Sequence, residues 1–548
     1  MRAQGKNTDG GDRVPLILKW ISPRAVIFMI FTMGAYLLLS ATVPAEAQRL
    51  KFLKDLVPLE VIEASHFASS LAGLLLILLA RALQKRLDSA WALTAFFLFL
   101  SSLLALLKGL RYEEAIFLGI LCAILLANRK YFRRRGSLLV ESFSSSGMLA
   151  LTAILAAFLG LGHFHYHNVA YSDELWWRFA LNSDAPRFLR ATGGISVLLL
   201  ILIAARLLQP ATVRFLAPQE TDLEDVRKVI LSGARCSAWL AMLRDKSFLF
   251  NASRTAFVMH RSFGRSWIAL GDPVGPIETW KDLILRFRRE ADLYGGWAVF
   301  HETSSAGLPI YLDAGLQILK IGEEARVDLA AFSLEGSPFR DLRQARKKSE
   351  EKHHNFIILD PPHSPKRFQE LRTVSDAWLR DRHVREKMFS LGSFDEKYLA
   401  DFPIAAVMAG DKIVAFANIL PDTGRGEFSA DLMRYIPDPS HGGMMDYLFV
   451  SLLLWGKERG YRWFNMGMAP LSGIEDNEFS PLWQRVGGLV YRHGENFYNF
   501  KGLRAYKEKF KPVWEPRYLV FSEGAPVPAV FAHISALTAG GWMGIFRK

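Results

Sequence analysis

Apolar positions follow two different patterns along this 548-residue chain. Before residue 210 they form six charge-free stretches, four of which reach the length of about 17 to 20 residues that spans a bilayer. Two are shorter, but each ends beside an arginine whose side chain can reach the membrane interface. The pattern therefore predicts an N-terminal α-helical membrane bundle of about six spans. The stretches are 25–45, 64–80, 89–107, 115–128, 142–172 and 191–205.

After residue 210 the pattern changes to short apolar runs separated by amphipathic segments, which is typical of an α/β fold. The order strand, strand, helix, strand occurs twice, so we expect two tandem domains of similar order. The proline-rich segment 360–365 is the predicted linker between them. The predicted strands are 255–261, 266–270, 297–301, 325–329, 404–408, 412–420 and 463–466, and the predicted helices are 280–294 and 444–459.

These patterns divide the chain into four regions. Residues 1–24 form the predicted cytoplasmic tail, and residues 25–209 form the six-span transmembrane domain. Residues 211–362 and 363–548 are the two predicted α/β domains, of which the second carries the main catalytic candidates.

The distribution of charge supports this division. The net charge is +13, of which residues 1–210 contribute +9 (22 basic, 13 acidic) and residues 211–548 contribute +4 (45 basic, 41 acidic). With the N-terminus inside, the inner segments of the bundle hold 13 basic residues against eight on the outer side. The positive-inside rule therefore places the α/β region in the cytoplasm. The overall basicity is thus weak evidence for nucleic-acid binding.

Few catalytic frameworks fit this composition. Only Cys122 and Cys236 are present, which excludes a disulfide framework and a cysteine-rich zinc site. Nucleophile-elbow, Walker A, metalloprotease and dinucleotide-binding motifs are absent from the sequence. A coenzyme A enzyme would carry an Arg/Gln-x-x-Gly-x-Gly/Ala loop at a helix N-terminus, and the nearest run, 484–489, ends in leucine. We therefore expect neither a metal nor coenzyme A.

Polar residues that follow predicted strands form a first group of candidates. Asp431 and Arg434 follow the run 428–430, so a strand end there would present a carboxylate and a guanidinium to one cleft. A structural ion pair between them is the alternative, which spacing alone favours about two to one. Asp272 is a further candidate in a tight turn, and Met468 and Ser472 are candidates in a loop of small residues. Such a loop either approaches a ligand closely or merely turns the chain.

Basic side chains are concentrated in two segments of the second half. Between 499 and 519 they alternate with aromatic residues, which suits phosphate contacts backed by packing; a solvated charged helix is the alternative. Between 340 and 352 they form a cationic helix face that could bind the phosphates of tRNA or lipid. A solvated face without a binding role is the alternative, and the two interpretations have about even odds. The candidates are Lys501, Arg504, Tyr506 and Lys507 in the first segment, and Arg340, Arg343, Arg346, Lys347 and Lys348 in the second.

Six short motifs stand in order between residues 211 and 522. They are Gly271-Asp-Pro-Val-Gly275, Lys320-Ile-Gly-Glu-Glu-Ala-Arg-Val-Asp-Leu329, Asp431-Leu-Met-Arg-Tyr435, Met466-Gly-Met-Ala-Pro-Leu-Ser472, Gly502-Leu-Arg-Ala-Tyr-Lys-Glu-Lys-Phe510 and Trp514-Glu-Pro-Arg-Tyr-Leu519. Each alone is weakly specific, whereas the set closely resembles the phosphatidylglycerol lysyltransferase family, the MprF-type multiple peptide resistance factors. The predicted spans before them fit the membrane helices that adjoin the synthase part in this family.

The resemblance implies a bacterial cell-membrane enzyme with a tandem of GNAT-like folds in the cytoplasm. Such an enzyme transfers an aminoacyl group, lysyl or alternatively alanyl, from aminoacyl-tRNA to the glycerol hydroxyl of phosphatidylglycerol at the inner leaflet. The less anionic membrane then attracts cationic antimicrobial peptides less strongly. The sequence leaves open whether the chain also forms a homo-oligomer. Members that also flip lipid carry a further block of N-terminal membrane helices, which residues 1–210 do not accommodate, so the expectation covers synthesis alone.

The resemblance also suggests roles for the candidates, since an activated aminoacyl ester needs positioning and proton transfer rather than a cofactor. We expect Asp431 to hold the ammonium of the aminoacyl group or to act as the base. Arg434 and Lys507 would bind phosphate or the developing oxyanion, and Lys501 and Arg504 the tRNA end or the lipid headgroup. The alternatives are a transferase for another membrane acceptor, such as a peptidoglycan precursor, and a non-catalytic protein that binds anionic lipid or RNA.

Overall fold

The computed structural model describes residues 22–40, 59–107, 111–134, 215, 217–438, 442–474 and 500–546. The chain forms two compact units, each with its own hydrophobic core. The smaller unit comprises residues 1–213 with 293–295, and the larger unit comprises residues 214–292 and 296–548.

Helices form the described part of the smaller unit. They are α1 (Pro23–Ser40), α2 (Leu59–Leu83), α3 (Asp88–Leu107) and α4 (Tyr112–Ala127). Leu118, Leu121 and Leu125 of α4 are buried at intervals of three and four residues, as expected for a packed helix face. Phe96 and Phe99 of α3 are more than half exposed. Apolar side chains therefore lie on the outer surface of this unit as well as in its core.

The six predicted spans are only partly tested by this unit. The first four stretches fall within or overlap α1 to α4. Among the described helices, Asp88–Leu106 is long and apolar enough to cross a membrane, whereas the apolar parts of α1 and α2, Pro23–Leu37 and Leu71–Leu83, are shorter. The stretches 142–172 and 191–205 lie outside the described residues. Six spans and their orientation therefore stay predictions.

The larger unit alternates helices and strands. Its helices are α5 (Glu220–Leu231), α6 (Trp280–Leu293), α7 (Leu308–Asp313), α8 (Arg340–Glu351), α9 (Pro365–Arg382), α10 (Glu396–Leu399), α11 (Met444–Glu458), α12 (Phe500–Glu508), α13 (Val527–Thr538) and α14 (Trp542–Phe546). Its strands are β1 (Ser247–Phe250), β2 (Phe257–Phe263), β3 (Ser266–Leu270), β4 (Trp297–Thr303), β5 (Leu316–Asp328), β6 (His354–Leu359), β7 (Ile404–Ala409), β8 (Lys412–Asn418), β9 (Leu420–Pro421), β10 (Glu427–Ser429), β11 (Met433–Tyr435), β12 (Trp463–Pro470) and β13 (Val513–Ser522).

Two sheets organise these strands. The larger has nine strands in the order β1-β2-β3-β4-β13-β5-β12-β10-β9, and the smaller has the order β11-β8-β7-β6. In the larger sheet, β3 pairs with β4 and β10 with β12 in parallel, whereas the other pairs are antiparallel. Strand β13 lies between β4 and β5, so a late segment of the chain completes a sheet that begins near residue 247. Strands from both sides of the predicted boundary at 362/363 share this sheet, and that boundary stays a prediction.

The helices cover the sheets with faces that the sequence pattern dictates. On α6, Leu283, Ile284, Phe287 and Ala291 are buried at helical spacing. The ring of Phe287 meets the ring of Phe300 on β4 edge-on, with centroids 5.1 Å apart. The structure confirms this helix and the strands predicted around it. The sequence could predict them because the apolar positions in this region are strongly periodic.

Irregularities bend the larger sheet near its centre. Glu302 is an extra residue in β4, and Ile321 is an extra residue in β5, each opposite β13. In β12, Met466 and Gly467 face a single position of β5. Such bulges bend strands and redirect side chains, and they are frequent beside active sites.

Candidate active site

Two neighbouring strands bring candidate residues to one edge of the larger sheet. Strands β10 and β12 run parallel with Ser429 opposite Asn465, and the Ser429 hydroxyl donates a hydrogen bond to the Asn465 carbonyl at 2.8 Å. Asp431 lies two residues further on, just beyond the carboxyl end of β10, where α/β sheets usually bind ligands, and Gly467 lies in the bulge of β12. Lys507 reaches the same edge, because its ammonium donates to the Gly467 carbonyl at 2.8 Å.

Asp431 is held in a polar but secluded pocket. The Tyr398 hydroxyl donates to its carboxylate at 2.8 Å, and the Asn418 side-chain oxygen accepts from the backbone N–H of Asp431 at 3.3 Å. Burial raises the pKa of Asp431, and the two hydrogen-bonding partners oppose that rise. Gly392 packs so closely on this carboxylate that a Cβ there would collide with it. Asp431 therefore has the raised pKa that favours proton exchange by a carboxyl group.

Arg434 lies close to Asp431 but has partners of its own. Its guanidinium donates to Glu386 at 3.1 Å and lies over the ring of Trp378, 4.3 Å from the centroid. Burial lowers the pKa of Arg434, whereas the carboxylates of Glu386 and Asp431 raise it. Asp431 and Arg434 therefore do not form the ion pair that was the structural alternative: Asp431 is bonded to Tyr398, and Arg434 is paired with Glu386.

Lys507 of α12 is the buried cation of the site, with 5% of its surface exposed. Its ammonium donates to the carbonyls of Gly467, at 2.8 Å, and Met468, at 2.9 Å, across the bulge in β12. Burial lowers the pKa of Lys507 to about 8, although the negative charges of Glu324 and Glu302 act in the opposite direction. A lysine with this pKa can carry a proton or release it within a physiological range.

Arg504 and Ser472, which were predicted separately as substrate-binding residues, are in contact. The Arg504 guanidinium donates to the Ser472 hydroxyl and, at 2.5 Å, to Glu323 of β5. It also lies over the ring of Trp514, 4.3 Å from the centroid. Because Met468 and Ala469 of β12 pair with consecutive residues of β5, the Arg504 cluster adjoins the Lys507 site.

The sequence model of the family described as phosphatidylglycerol lysyltransferase, C-terminal, matches residues 227–521. This match covers more than half of the chain and includes every residue of the edge just described. The chain belongs to the phosphatidylglycerol lysyltransferase family. Its sequence is 31% identical over 464 residues to the phosphatidylglycerol lysyltransferase of Staphylococcus xylosus, an alignment that covers 84% of this chain and 54% of the relative.

Other family relatives agree with this assignment. The phosphatidylglycerol lysyltransferase of Staphylococcus aureus strain COL is 37% identical over 303 residues, which are 55% of this chain and 36% of the relative. The chain thus spans about half or less of the length of these curated relatives.

Solved structures show that the larger unit has the fold of this family. The C-terminal domain of a proposed lysylphosphatidylglycerol synthetase from Agrobacterium fabrum is 39% identical, with a TM-score of 0.54, and the match covers 59% of this chain and 98% of that domain. L-PGS from Bacillus licheniformis is 34% identical, with a TM-score of 0.52, and the match covers 60% of this chain and 99% of that structure. The arrangement of the strands is therefore a property of the family.

Three further candidates occupy different environments in this family member. Asp272 accepts hydrogen bonds from the Ser304 backbone at 2.9 Å and the Tyr311 hydroxyl at 3.0 Å, so it joins the turn after β3 to α7. Tyr506 packs between the rings of Phe449 and Phe510 in the core. Lys501 is exposed on α12. The structure thus gives Asp272 and Tyr506 clear packing roles, and their roles in substrate binding stay predictions.

The predicted basic patch is the exposed face of α8. It borders an open cleft of about 580 Å³ lined by Arg340, Arg343, Arg346 and Lys347. Arg343 donates to the carbonyls of the preceding loop, and Arg346 pairs with Glu350 at 2.7 Å. Arg340, Lys347 and Lys348 are exposed. Part of the charge is therefore used within the protein, and the rest faces solvent.

A buried lysine beneath Asp431 escaped the sequence analysis. Lys246 is fully buried and donates to Asp245 at 2.6 Å and to the Leu240 carbonyl at 2.9 Å. Asp245 in turn accepts from the Phe389 backbone at 2.8 Å, and thereby holds the segment that contains Gly392 over Asp431. The adjacent Asp-Lys pair within an apolar run was the available signal.

A buried ion-pair network behind Lys507 was also missed. Glu324 of β5 accepts hydrogen bonds from Arg235, at 2.8 Å, and from Arg517. Burial raises the pKa of Glu324, but the two cations outweigh this effect and lower the pKa to about 2. Arg326 contacts Glu427 at 3.2 Å. These charges come from three separate strands and one loop, so spacing along the chain carries no sign of them. Among the described residues, no cluster of three or more acidic, histidine or cysteine side chains could hold a metal.

Proposed function

We propose that this chain transfers an aminoacyl group, lysyl in the first instance, from aminoacyl-tRNA to the glycerol hydroxyl of phosphatidylglycerol at the inner leaflet. The carrying observation is a pair of groups on neighbouring parallel strands: Asp431, with a raised pKa, follows β10, and Lys507, with a lowered pKa, donates to the Gly467 carbonyl of β12. Two groups whose environments move their pKa values toward neutrality are the usual means of acid–base chemistry at pH 7.

The reaction is an ester exchange. The glycerol hydroxyl of the lipid attacks the aminoacyl carbonyl, the tetrahedral intermediate carries an oxyanion, and the ribose hydroxyl of the tRNA leaves. Asp431 accepts the proton of the attacking hydroxyl and returns it to the leaving oxygen. The Lys507 ammonium, held by two carbonyls, stabilises the oxyanion or an adjacent phosphate. No covalent enzyme intermediate is needed, because the donor ester is already activated.

The remaining cations of the site support binding. Arg434 is fixed by Glu386 and Trp378, so it presents a guanidinium of constant orientation beside Asp431. Arg504 positions the Ser472 loop, and exposed Lys501 lies one turn before it on the same helix. We assign Lys501 and Arg504 to the tRNA end or the lipid headgroup.

The physiological consequence follows from charge. Each lysyl group that is transferred adds two cationic amines to an anionic lipid, which weakens the electrostatic attraction of cationic antimicrobial peptides. An alanyl group would leave the lipid close to neutral and act in the same direction.

The test is lipid mass spectrometry of cells that express the full chain, with an empty vector and the Asp431→Asn variant as controls. A lysylated or alanylated phosphatidylglycerol that is present only with the wild-type chain supports the proposal. Incubation of membranes with labelled aminoacyl-tRNA then identifies the acceptor, since label on another membrane acceptor would favour the alternative transferase. If no acceptor is labelled, although the protein binds anionic lipid or RNA, the non-catalytic alternative is favoured.

A further inference from the structure

Glu302 occupies a backbone position that suits glycine. It is the extra residue of the bulge in β4, because its neighbours His301 and Thr303 pair with the consecutive residues Leu519 and Tyr518 of β13. Its φ is +68°, in the left-handed region, which side chains with a Cβ disfavour and which glycine usually occupies in bulges of this kind. A glutamate that persists in such a conformation suggests that its side chain is needed there.

Through β13, which pairs with both β4 and β5, the bulge that holds Glu302 lies level with the part of β5 that pairs with the end of β12. The negative charge of Glu302 acts on the Lys507 ammonium, as does that of Glu324. Glu324 is already engaged by Arg235 and Arg517, and its side chain is 10% exposed. Glu302 is 28% exposed, and the contact that the structure gives it is with the adjacent His301 ring nitrogen at 3.2 Å. Of these two carboxylates, which are those that act on Lys507 within the described residues, Glu302 is therefore the more exposed to an incoming ligand.

We propose that Glu302 binds an ammonium group of the aminoacyl ester that is being transferred, and that it thereby orients the ester. This inference rests on the proposed function. Every aminoacyl ester that is a substrate carries a cation close to the reacting carbonyl, and Lys507 would repel that cation. A carboxylate between them removes the repulsion and forms a charge-assisted hydrogen bond that orients the ester.

A structural explanation fits the residue less well. A side chain that stabilises a fold usually joins distant elements, whereas Glu302 contacts its own neighbour in the sequence. The bulge itself would be more stable with glycine, since glycine adopts positive φ without a steric penalty. Binding and stability thus make opposite demands at this position, and variants can separate them.

The first measurement is the initial rate of transfer by the full chain in phosphatidylglycerol vesicles. The donors are lysyl-tRNA, Nα-acetyl-lysyl-tRNA and Nε-acetyl-lysyl-tRNA. Glu302→Gln is expected to lower the rate with lysyl-tRNA by about 10- to 100-fold, because a charge-assisted bond is lost. The control is Glu523→Gln, an exposed glutamate after β13.

The decisive readout is discrimination between donors. If Glu302 binds the α-ammonium, wild type disfavours the Nα-acetylated donor and Glu302→Gln abolishes that preference. If Glu302 binds the ε-ammonium, the same happens with the Nε-acetylated donor. Unchanged discrimination against both donors in Glu302→Gln overturns the proposal, even where the overall rate falls. Absence of transfer by the wild-type chain contradicts the proposed function itself, and with it the ammonium-binding role.

The second measurement is thermal unfolding, which requires no activity. Glu302→Gly is expected to raise the melting temperature while it lowers the transfer rate as much as Glu302→Gln. The control is Gln317→Gly, an exposed position of β5 outside the left-handed region, where glycine should lower the melting temperature. A melting temperature that falls in Glu302→Gly by as much as in the control would show that Glu302 is a structural residue, and the proposal would be wrong.

Discussion

The two titratable groups at the sheet edge are both buried, yet the protein holds them by different means. Asp431 is held by neutral partners: the Tyr398 hydroxyl donates to its carboxylate, and the Asn418 side-chain oxygen accepts from its backbone N–H. Lys507 is held by two backbone carbonyls and by the field of nearby carboxylates. Burial disfavours the charged form of each, so the pKa of the acid rises and that of the base falls. The comparison shows how burial and hydrogen bonds at one edge can prepare both a proton acceptor and a cation.

The largest effect is expected from the acid side. Asp431→Asn removes the proton acceptor but retains the size and a hydrogen-bonding side chain. The initial rate of aminoacyl transfer should fall by about 10³-fold, because general base catalysis typically contributes 10²- to 10⁴-fold. Circular dichroism and thermal unfolding should show a folded protein.

The matched control is Asp328→Asn. Asp328 accepts hydrogen bonds from the backbone of Ala330 at the opposite end of β12, so its variant should retain the wild-type rate. A near-wild-type rate for Asp431→Asn would end the comparison, since the site would then hold cationic candidates without a proton acceptor.

On the cationic side, Lys507→Met should lower the rate by about 10²-fold, because one preorganised donor to the oxyanion is lost. Stability should fall by about 1–3 kcal/mol, since the carbonyls of Gly467 and Met468 lose their donor. Lys457→Met is the matched control: Lys457 also donates to two carbonyls, those of Ala330 and Phe332, away from this edge. The control should lose stability but retain its rate. Equal losses of rate in both variants would show that Lys507 acts only through the fold.

Lys507 also predicts the pH dependence of stability. Its folded pKa of about 8 lies below the ordinary lysine value of 10.5. Between these two values the unfolded chain binds more protons than the folded chain, so this residue makes the free energy of unfolding rise with pH. Urea titrations at pH 7 to 10.5 should show wild type gaining stability relative to Lys507→Met across this window. A difference that does not change with pH would contradict the lowered pKa.

A smaller effect is expected at the support of Asp431. Tyr398→Phe removes the hydroxyl that donates to the carboxylate, and the rate should fall by about 10-fold, as expected for one lost hydrogen bond to a charged group. That bond lowers the pKa of Asp431, so its loss should move the acidic limb of the rate profile to higher pH.

The control for this variant is Tyr447→Phe, a buried tyrosine whose hydroxyl donates to the His354 carbonyl at 3.2 Å. An acidic limb that moves equally in both variants, or in neither, would mean that Tyr398 does not set the protonation of Asp431.

The parts of this architecture that the sequence predicts are those with local signals. The strands β2, β3, β7 and β8 and the helices α6 and α11 have clear periodicity, and the motif residues Asp431 and Lys507 reach one sheet edge. For the residues of β13 the sequence predicts part of a basic segment and no strand, because Glu515, Pro516 and Arg517 interrupt the apolar pattern. Those charges are satisfied by Arg326 and Glu324 of β5, which lie almost 200 positions earlier.

The same reason explains why the surroundings of the site could not be predicted. Lys246 supports Asp431 from a loop before β1, and Glu302 lies near Lys507 only because β13 inserts next to β4. Pairings between distant strands depend on the packing of the whole sheet, and a single sequence does not reveal them.

The smallest effect is expected on the exposed face of α8, which holds no residue of this edge. Lys347 and Lys348 face solvent, whereas Arg343 is bound to backbone carbonyls, so the lysines can be replaced without loss of packing. The double variant Lys347→Ala with Lys348→Ala should weaken binding of aminoacyl-tRNA a few-fold and reduce the salt slope of that binding by about one per lysine. The maximal rate should stay at the wild-type level, because α8 contributes no group to the reaction.

The control is Lys412→Ala, which replaces an exposed lysine on β8. An unchanged salt slope for tRNA, together with weaker binding to anionic vesicles, would assign this helix face to the membrane instead. The contrast between the two regions would then be one of chemistry at the sheet edge and lipid attachment at α8.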